Sequence, residues 1–301
     1  LVRAISQKLG SNKIAATIAG LVFLFATPAF AYSVSLYQHH ISTFLILLSI
    51  YLLFRFNSLW SVAVIWLLCA SSIPVDYPNL FLMFPIGVVA LSKFIEIKRK
   101  EHNLNIKFKA LGLLTFTTII VPLLFFMWFS KNSYGSPFQF SGTINSVQAI
   151  DQTGKPAQSN LIDQEQSATP PEESERNSLS FFQTRNILKG VNTHILSPDR
   201  GVLFFAPIIF FGVLGAWTAE KKKIKHSMLI ISIAAINILL YSMWGDPYGG
   251  WAFGSRYLIP SYAMLAILIG VALTYYRKSK IFLIILLPFL LYSLFVNTIG
   301  A

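Results

Sequence analysis

The chain has 301 residues, 54% of them hydrophobic and only 12% charged, with a mean hydropathy of +0.61, whereas a soluble domain carries about 25% charged residues. That composition excludes an ordinary water-soluble enzyme. The net charge of +12 invites a nucleic-acid reading until its distribution is examined.

Stretches without Asp, Glu, Lys or Arg run over 14–54, 56–75, 77–92, 110–130, 201–219, 226–245, 257–276 and 281–301. A membrane-spanning helix needs about 20 apolar residues, so 14–54 reads as two helices turning near 34–40 and the chain as an all-α polytopic membrane protein of about nine transmembrane helices. Basic residues fall between the runs at Arg3, Lys8 and Lys13, at Arg55, at Lys93, Lys98, Arg99, Lys100, Lys107 and Lys109, at Lys221, Lys222, Lys223 and Lys225, and at Arg277, Lys278 and Lys280. With nine spans every cluster shares one side, the cytoplasmic one by the positive-inside bias. The charge is therefore a topology signal, and no nucleic-acid partner is expected.

The N-terminal element admits two readings. Lys8 and Lys13, the apolar run from Ile14, and Pro28-Ala29-Phe30-Ala31 imitate a secretory signal with an Ala-x-Ala cleavage site. A start at Leu1 and a polar lead instead suggest the middle of a larger protein whose N-terminal part is missing. Residues 1–140 then hold helices one to five. Spans three and four, 58–73 and 77–92, form a tight hairpin around Pro74 and Pro78. Residues 141–180 turn to Gln, Ser, Asn, Thr, Pro and Glu, including Pro170-Pro171-Glu172-Glu173, and read as one long flexible external loop. Its flanks, Tyr134-Gly135-Ser136-Pro137-Phe138 and Phe181 to Ile187, carry aromatics and glycine that suggest structure. Residues 181–301 hold helices six to nine, with a Trp/Gly-rich external loop at 244–257. Cys69 is alone, so no intrachain disulfide forms.

Chemistry is sought on the external side. Setting aside the acids of the cytoplasmic links and the long loop leaves Asp76, Asp199 and Asp246, accompanied by Arg200, Arg256, His39 and His40. Trp244 through Tyr257 is the densest constellation: its glycines allow close backbone approach, Trp244, Tyr248 and Trp251 offer faces for a sugar or lipid, and Arg256 presents a fork that matches phosphate oxygens. An aromatic belt with a snorkelling arginine is the structural alternative. Asp199 sits where it would cap the helix that opens near Gly201, while Arg200 is free to bind phosphate or to pair with Asp199 or Asp246. The adjacent histidines, of which at most one faces the interior, make a poor metal site. No metal site is expected from the residues, and a divalent cation is the one cofactor left open.

Ser197 through Pro207, Tyr134 through Phe138, Asp76-Tyr77-Pro78 and Trp244 through Pro260, in that spacing over about residues 12–260, resemble a bacterial family of multi-spanning proteins placed with the GT-C glycosyltransferases, the superfamily of protein mannosyltransferases and lipid A aminoarabinose transferases. His39, preceded by Tyr32-Ser33, fits that pattern and His40 does not. Phe129-Ser130 stands where the family shows an aromatic-Asn pair, and 141–180 is private to this sequence. The resemblance implies a bacterial inner-membrane enzyme. It would transfer a sugar from a polyprenyl-phosphate-linked donor to a glycan, lipid or protein acceptor on the non-cytoplasmic face. It also implies a principal catalytic carboxylate in a loop upstream of Leu1, leaving Asp76 and Asp246 as orienting or secondary acids. Arg200 and Arg256 would face the leaving phosphate, with Asp199, His39, Trp244, Tyr248 and Trp251 lining the substrate site. A transporter or flippase for a lipid-linked or anionic solute, and a non-catalytic assembly subunit, are the rival readings.

Overall fold

The computed structural model describes residues 1–35, 37–100, 103–139, 181–250 and 252–301, and of 95–100 and 103–108 the backbone alone. The 141–180 loop and Trp251 lie outside the described residues. The chain divides into two units, Leu1–Leu123 with Phe182–Ala301, and Leu124–Phe181.

The first unit is helical, with one hairpin. Its N-terminal half holds α1 (Val2–Lys8), α2 (Lys13–Phe25), α3 (Gln38–Arg55), α4 (Leu59–Val75) and α5 (Asn79–Ser92). Side-chain caps start two of these: Asn12 accepts from the Ala15 amide at 2.9 Å, and Ser58 from the Ser61 amide at 3.2 Å. α2 ends at Phe25 because Pro28 follows within a turn, so the connection to α3 occupies 26–37, earlier than the expected 34–40. The link after α5 is an antiparallel pair, β1 (Ile95–Lys100) and β2 (Asn103–Phe108), in the register Ile95↔Phe108 to Lys100↔Asn103. Alternation of Ile95 and Ile97, and of Leu104, Ile106 and Phe108, is a period-two signal inside what the sequence presents first as a lysine cluster.

A 3-10 stretch over Ala110–Ile119 leads into α6 (Ile120–Tyr134). Leu124–Phe181 contains the end of α6, where Phe125 packs on Trp128 and Gly135, at φ +81°, stops the helix with its amide on the Lys131 carbonyl.

After Phe182 come α7 (Ile187–Val191), a π-helical turn at Asn192–Leu196, α8 (Val202–Phe205), α9 (Phe210–Lys221), α10 (Ser227–Ser242), α11 (Ile259–Tyr276) and α12 (Lys280–Ile299). The expected span over 201–219 is broken: Pro207 bars helical geometry at Ala206, which takes φ −151° and ψ 54°. α12 covers the break, with Asn297 Nδ2 donating to the Phe205 carbonyl at 2.6 Å and Ser293 Oγ accepting from the Ile208 amide at 3.2 Å.

Among the described residues three helices are long and apolar enough to cross a membrane, Ala110–Tyr134, Arg256–Tyr276 and Lys280–Ile299. The expectation of nine is corrected on this point. α2, α4, α5 and α10 are apolar but have only 13, 17, 14 and 16 residues, and 14 residues rise about 21 Å against a hydrocarbon core of about 30 Å. α3 has the length, yet it opens on Gln38-His39-His40 and closes on Arg55. α12 turns Ile281, Ile284, Leu287, Leu291, Phe295 and Ile299 outward. Such an apolar surface is stable in lipid and a liability in water.

α11 is the hub. From Ile259 to Leu273 every residue except Leu265 is buried, and α1, α2, α3, α9 and α10 all pack on it. α9 comes closest, because a Cβ on Gly212 would stand 2.6 Å from the Leu265 carbonyl oxygen, and one on Gly215 would overlap that of Leu268. We expect Gly215→Ala to force the two backbones apart and destabilise the protein by about 1–3 kcal/mol, read as a lower thermal midpoint of the purified protein in detergent.

Candidate functional site

Asp76 closes α4. Its side chain, 10% exposed, accepts a hydrogen bond from Tyr241 Oη at 2.7 Å, and the same oxygen, Oδ2, lies 3.4 Å from Nδ1 of His39, itself 3% exposed. His39 is in the first turn of α3 and Tyr241 in the last turn of α10, so three helix ends converge on one carboxylate. Tyr257, just before α11, stacks on Tyr241 at 4.7 Å with planes 7° apart and meets the His39 ring edge-on at 5.3 Å.

On the other side of Tyr257 lies Arg256, and Arg200 meets the same Gly249–Gly250 turn. Arg256 places its guanidinium 5.6 Å from the Tyr257 ring centre and 4.9 Å from that of Tyr37, and Nη2 donates to the Gly249 carbonyl at 2.8 Å. Arg200 Nη1 donates to the Gly250 carbonyl at 3.1 Å, with its guanidinium 5.0 Å from the Tyr248 ring. Gly249 and Gly250 take φ of +65° and +69°, and this left-handed pair is what turns two successive carbonyls to the two arginines. Through its hydroxyl Tyr32 accepts from the Phe253 amide at 2.7 Å. Burial raises its phenol above the usual range against that hydrogen bond and the charges of Arg256 and Arg200. Neither arginine has a carboxylate partner among the described residues. Each keeps a buried Nε–H without an acceptor, a costly state for a charged donor.

A buried histidine holds the loop that carries Arg200. His194, fully buried, donates from Nε2 to the Tyr241 carbonyl at 3.1 Å, leaving Nδ1 to face Ser255 Oγ at 3.0 Å. Ser255 Oγ is also 3.0 Å from the Arg200 carbonyl. Burial drives the His194 pKa down to about 4, with the Arg200 charge acting in the same direction. Segment 182–186 docks alongside: the Gln183 amide donates to the Met243 carbonyl at 2.6 Å, Asn186 Nδ2 donates to that of Trp244 at 3.3 Å, and Phe182 pairs with Trp244.

The site thus brings together His39, Asp76, Arg200, Trp244, Tyr248 and Arg256 from among the residues singled out in the sequence. Trp244 packs against Tyr77, Phe182, Tyr241 and Tyr257, and Tyr248 stays exposed beside Arg200 and Lys189. Asp246 spends Oδ1 on the Tyr248 amide at 3.1 Å, the hydrogen bond of a turn. Asp199 is corrected as a cap: Gly201 holds the N-cap position of α8, and the exposed Asp199 carboxylate makes no hydrogen bond or ion pair among the described residues. Arg200 pairs with neither acid, because the Gly250 carbonyl and the Tyr248 face occupy it. His40 turns away from His39 and places Nε2 3.0 Å from the Ala29 carbonyl. Among the described residues no three of His, Cys, Asp and Glu gather as metal ligands. Tyr37, Tyr241 and His194 are missing from the sequence-derived set, while Ser255 and Tyr257 lie inside the Trp244–Tyr257 constellation without a role assigned to them. Of the three missing residues, only Tyr241, three residues before Trp244, carried a positional signal.

No family model matches the chain, and neither a curated protein nor a solved structure does. The GT-C likeness accordingly rests on the sequence motifs alone.

Because the folded pKa of His194 is depressed from 6.5 to about 4, its neutral form contributes stability above pH 6.5 that is lost as pH falls through that window, by roughly 3 kcal/mol. His194→Gln, which keeps a donor and an acceptor, should flatten the fall of the thermal midpoint between pH 6.5 and pH 4.

Proposed function

We propose that the chain is a membrane glycosyltransferase component that uses a polyprenyl-phosphate-linked sugar. The observation that carries this reading is a pair of half-buried arginines that, among the described residues, have no carboxylate partner and each keep a buried Nε–H without an acceptor, with Arg256 one aromatic ring away from the Asp76–His39 pair. A phosphate is the anion that a planar guanidinium fork fits best, and the tyrosine and tryptophan faces around it suit a sugar and an isoprenoid.

In transfer, the acceptor's hydroxyl oxygen bonds to the anomeric carbon. The bond from that carbon to the phosphate oxygen breaks with its electron pair left on the phosphate, and the hydroxyl proton passes to a carboxylate. Arg200 and Arg256 stabilise the charge that grows on the leaving phosphate. Asp76, held by Tyr241 and beside His39, orients polar groups or accepts a proton. Asp246, bound to its own turn, shapes the loop.

Binding of a polyprenyl phosphate and of the corresponding neutral alcohol to the purified protein tests this reading. The phosphate should bind and the alcohol should not. Arg256→Ala should weaken the phosphate roughly tenfold to a hundredfold, the loss of a charge-assisted pair of hydrogen bonds. Equal affinity for phosphate and alcohol would remove the arginines from the site.

Arg256→Lys should also bind more weakly, since a point charge replaces the fork. In cells, Arg256→Ala should abolish sugar transfer at unchanged protein level, measured by incorporation of labelled sugar into the envelope fraction.

A further inference from the structure

A second cationic site lies at the other end of the bundle. α3 and α10 each run from the Asp76 cluster to this end, and 16 residues separate His39 from Arg55, about 24 Å of helix. Here a cavity of about 410 Å³ opens between the ends of α3 and α5 and the start of α10. Arg55, Lys93, Lys225 and His226 line it with Asn57 and Ser92, and no lining residue is acidic.

The cavity wall is built. His226 adopts φ +68°, uncommon for a non-glycine residue, and stacks on Phe54 at 4.8 Å with planes 23° apart. Lys93 spends its Nζ on the Leu53 and Phe56 carbonyls, at 2.9 and 2.6 Å. It thereby neutralises the negative end of α3 that would otherwise repel an anion. Arg55 and Lys225 are exposed, and no described carboxylate pairs with them. The Glu220 carboxylate takes the Ser227 hydroxyl at 2.9 Å and stays out of the lining. Burial, and after it the Lys225 and Lys93 charges, push the His226 imidazole below its usual pKa.

We propose that this cavity binds a phosphate-bearing anion, held by Arg55 and Lys225 against the His226 face. The volume admits a phosphate together with the glycerol of a lipid head group. Basic pockets between membrane helices recognise anionic head groups by the same electrostatics, and a soluble phosphate offers the same oxygens. The site is separate from the Arg200–Arg256 pair and does not depend on it.

The test is the thermal midpoint of the full chain in neutral detergent micelles. Phosphatidylglycerol, phosphatidylcholine or millimolar inorganic phosphate is added in turn. A ligand that binds only the folded state raises the midpoint. Phosphatidylglycerol should raise it by several degrees and phosphatidylcholine should not. If inorganic phosphate produces the same rise, the occupant is a soluble phosphate; if only the lipid does, it is a head group. The double variant Arg55→Gln, Lys225→Gln removes two exposed cations, leaves the structural Lys93 in place, and should lose the rise. The equally charged control Arg277→Gln, Lys278→Gln should keep it. The proposal is overturned if neither probe shifts the wild type, if the Arg55/Lys225 variant retains the full rise, or if the control loses as much.

Discussion

A helix that is apolar on every side must be sheathed, and α11 imposes that requirement on the molecule. Its buried run from Ile259 to Leu273 has no polar face to leave in contact with solvent or head groups, so neighbours must surround it. α9 meets the demand by removing side chains, at Gly212 and Gly215. α1 meets it with a polar clasp, Ser6 Oγ donating to the Ile267 carbonyl at 3.0 Å. α10 uses Asn237, whose Oδ1 accepts from Ser261 Oγ at 2.6 Å and from the Ser261 amide at 3.2 Å. With the surrounding helices held to one hub, their ends are brought into register at both faces of the bundle.

Those ends hold the polar groups, and they are arranged differently at the two faces. On the side of Asp76 the two arginines are half-buried and partnered by aromatic rings and backbone carbonyls, a setting in which a guanidinium keeps its charge while its Nε–H finds no acceptor among the described residues. Around Lys93 the cations are more open, and one lysine is consumed in closing the end of α3.

Much of the helical framework was legible. The helices over Leu59–Val75, Asn79–Ser92, Ile259–Tyr276 and Lys280–Ile299 lie close to the uncharged runs, since charge avoidance and helix length have one cause. The failures are local. A run of apolar residues does not reveal that Pro207 will break it at Ala206, or that Pro28 will end α2 early. The strand pair Ile95–Lys100 and Asn103–Phe108 was not legible because lysines and an arginine interleave with its alternating apolar residues and give the stretch the charge of a solvated link.

The sequence by itself determined which residues are scarce and polar near helix ends, hence Asp76, Arg200, Arg256 and His39, because hydrocarbon tolerates few such groups and their positions stand out. Only the tertiary structure decided which of them meet. Asp76 and Tyr241 are 165 positions apart and hydrogen-bonded, and no local pattern encodes that contact. It follows from how α4 packs on α3 and α5 and α10 on α5 and α11, whereas the left-handed Gly249 and Gly250 aim their carbonyls at the two arginines. Asp199 and Asp246 illustrate the converse: similar in sequence signal, one points to solvent and the other closes its own turn, because packing left neither an arginine to pair with.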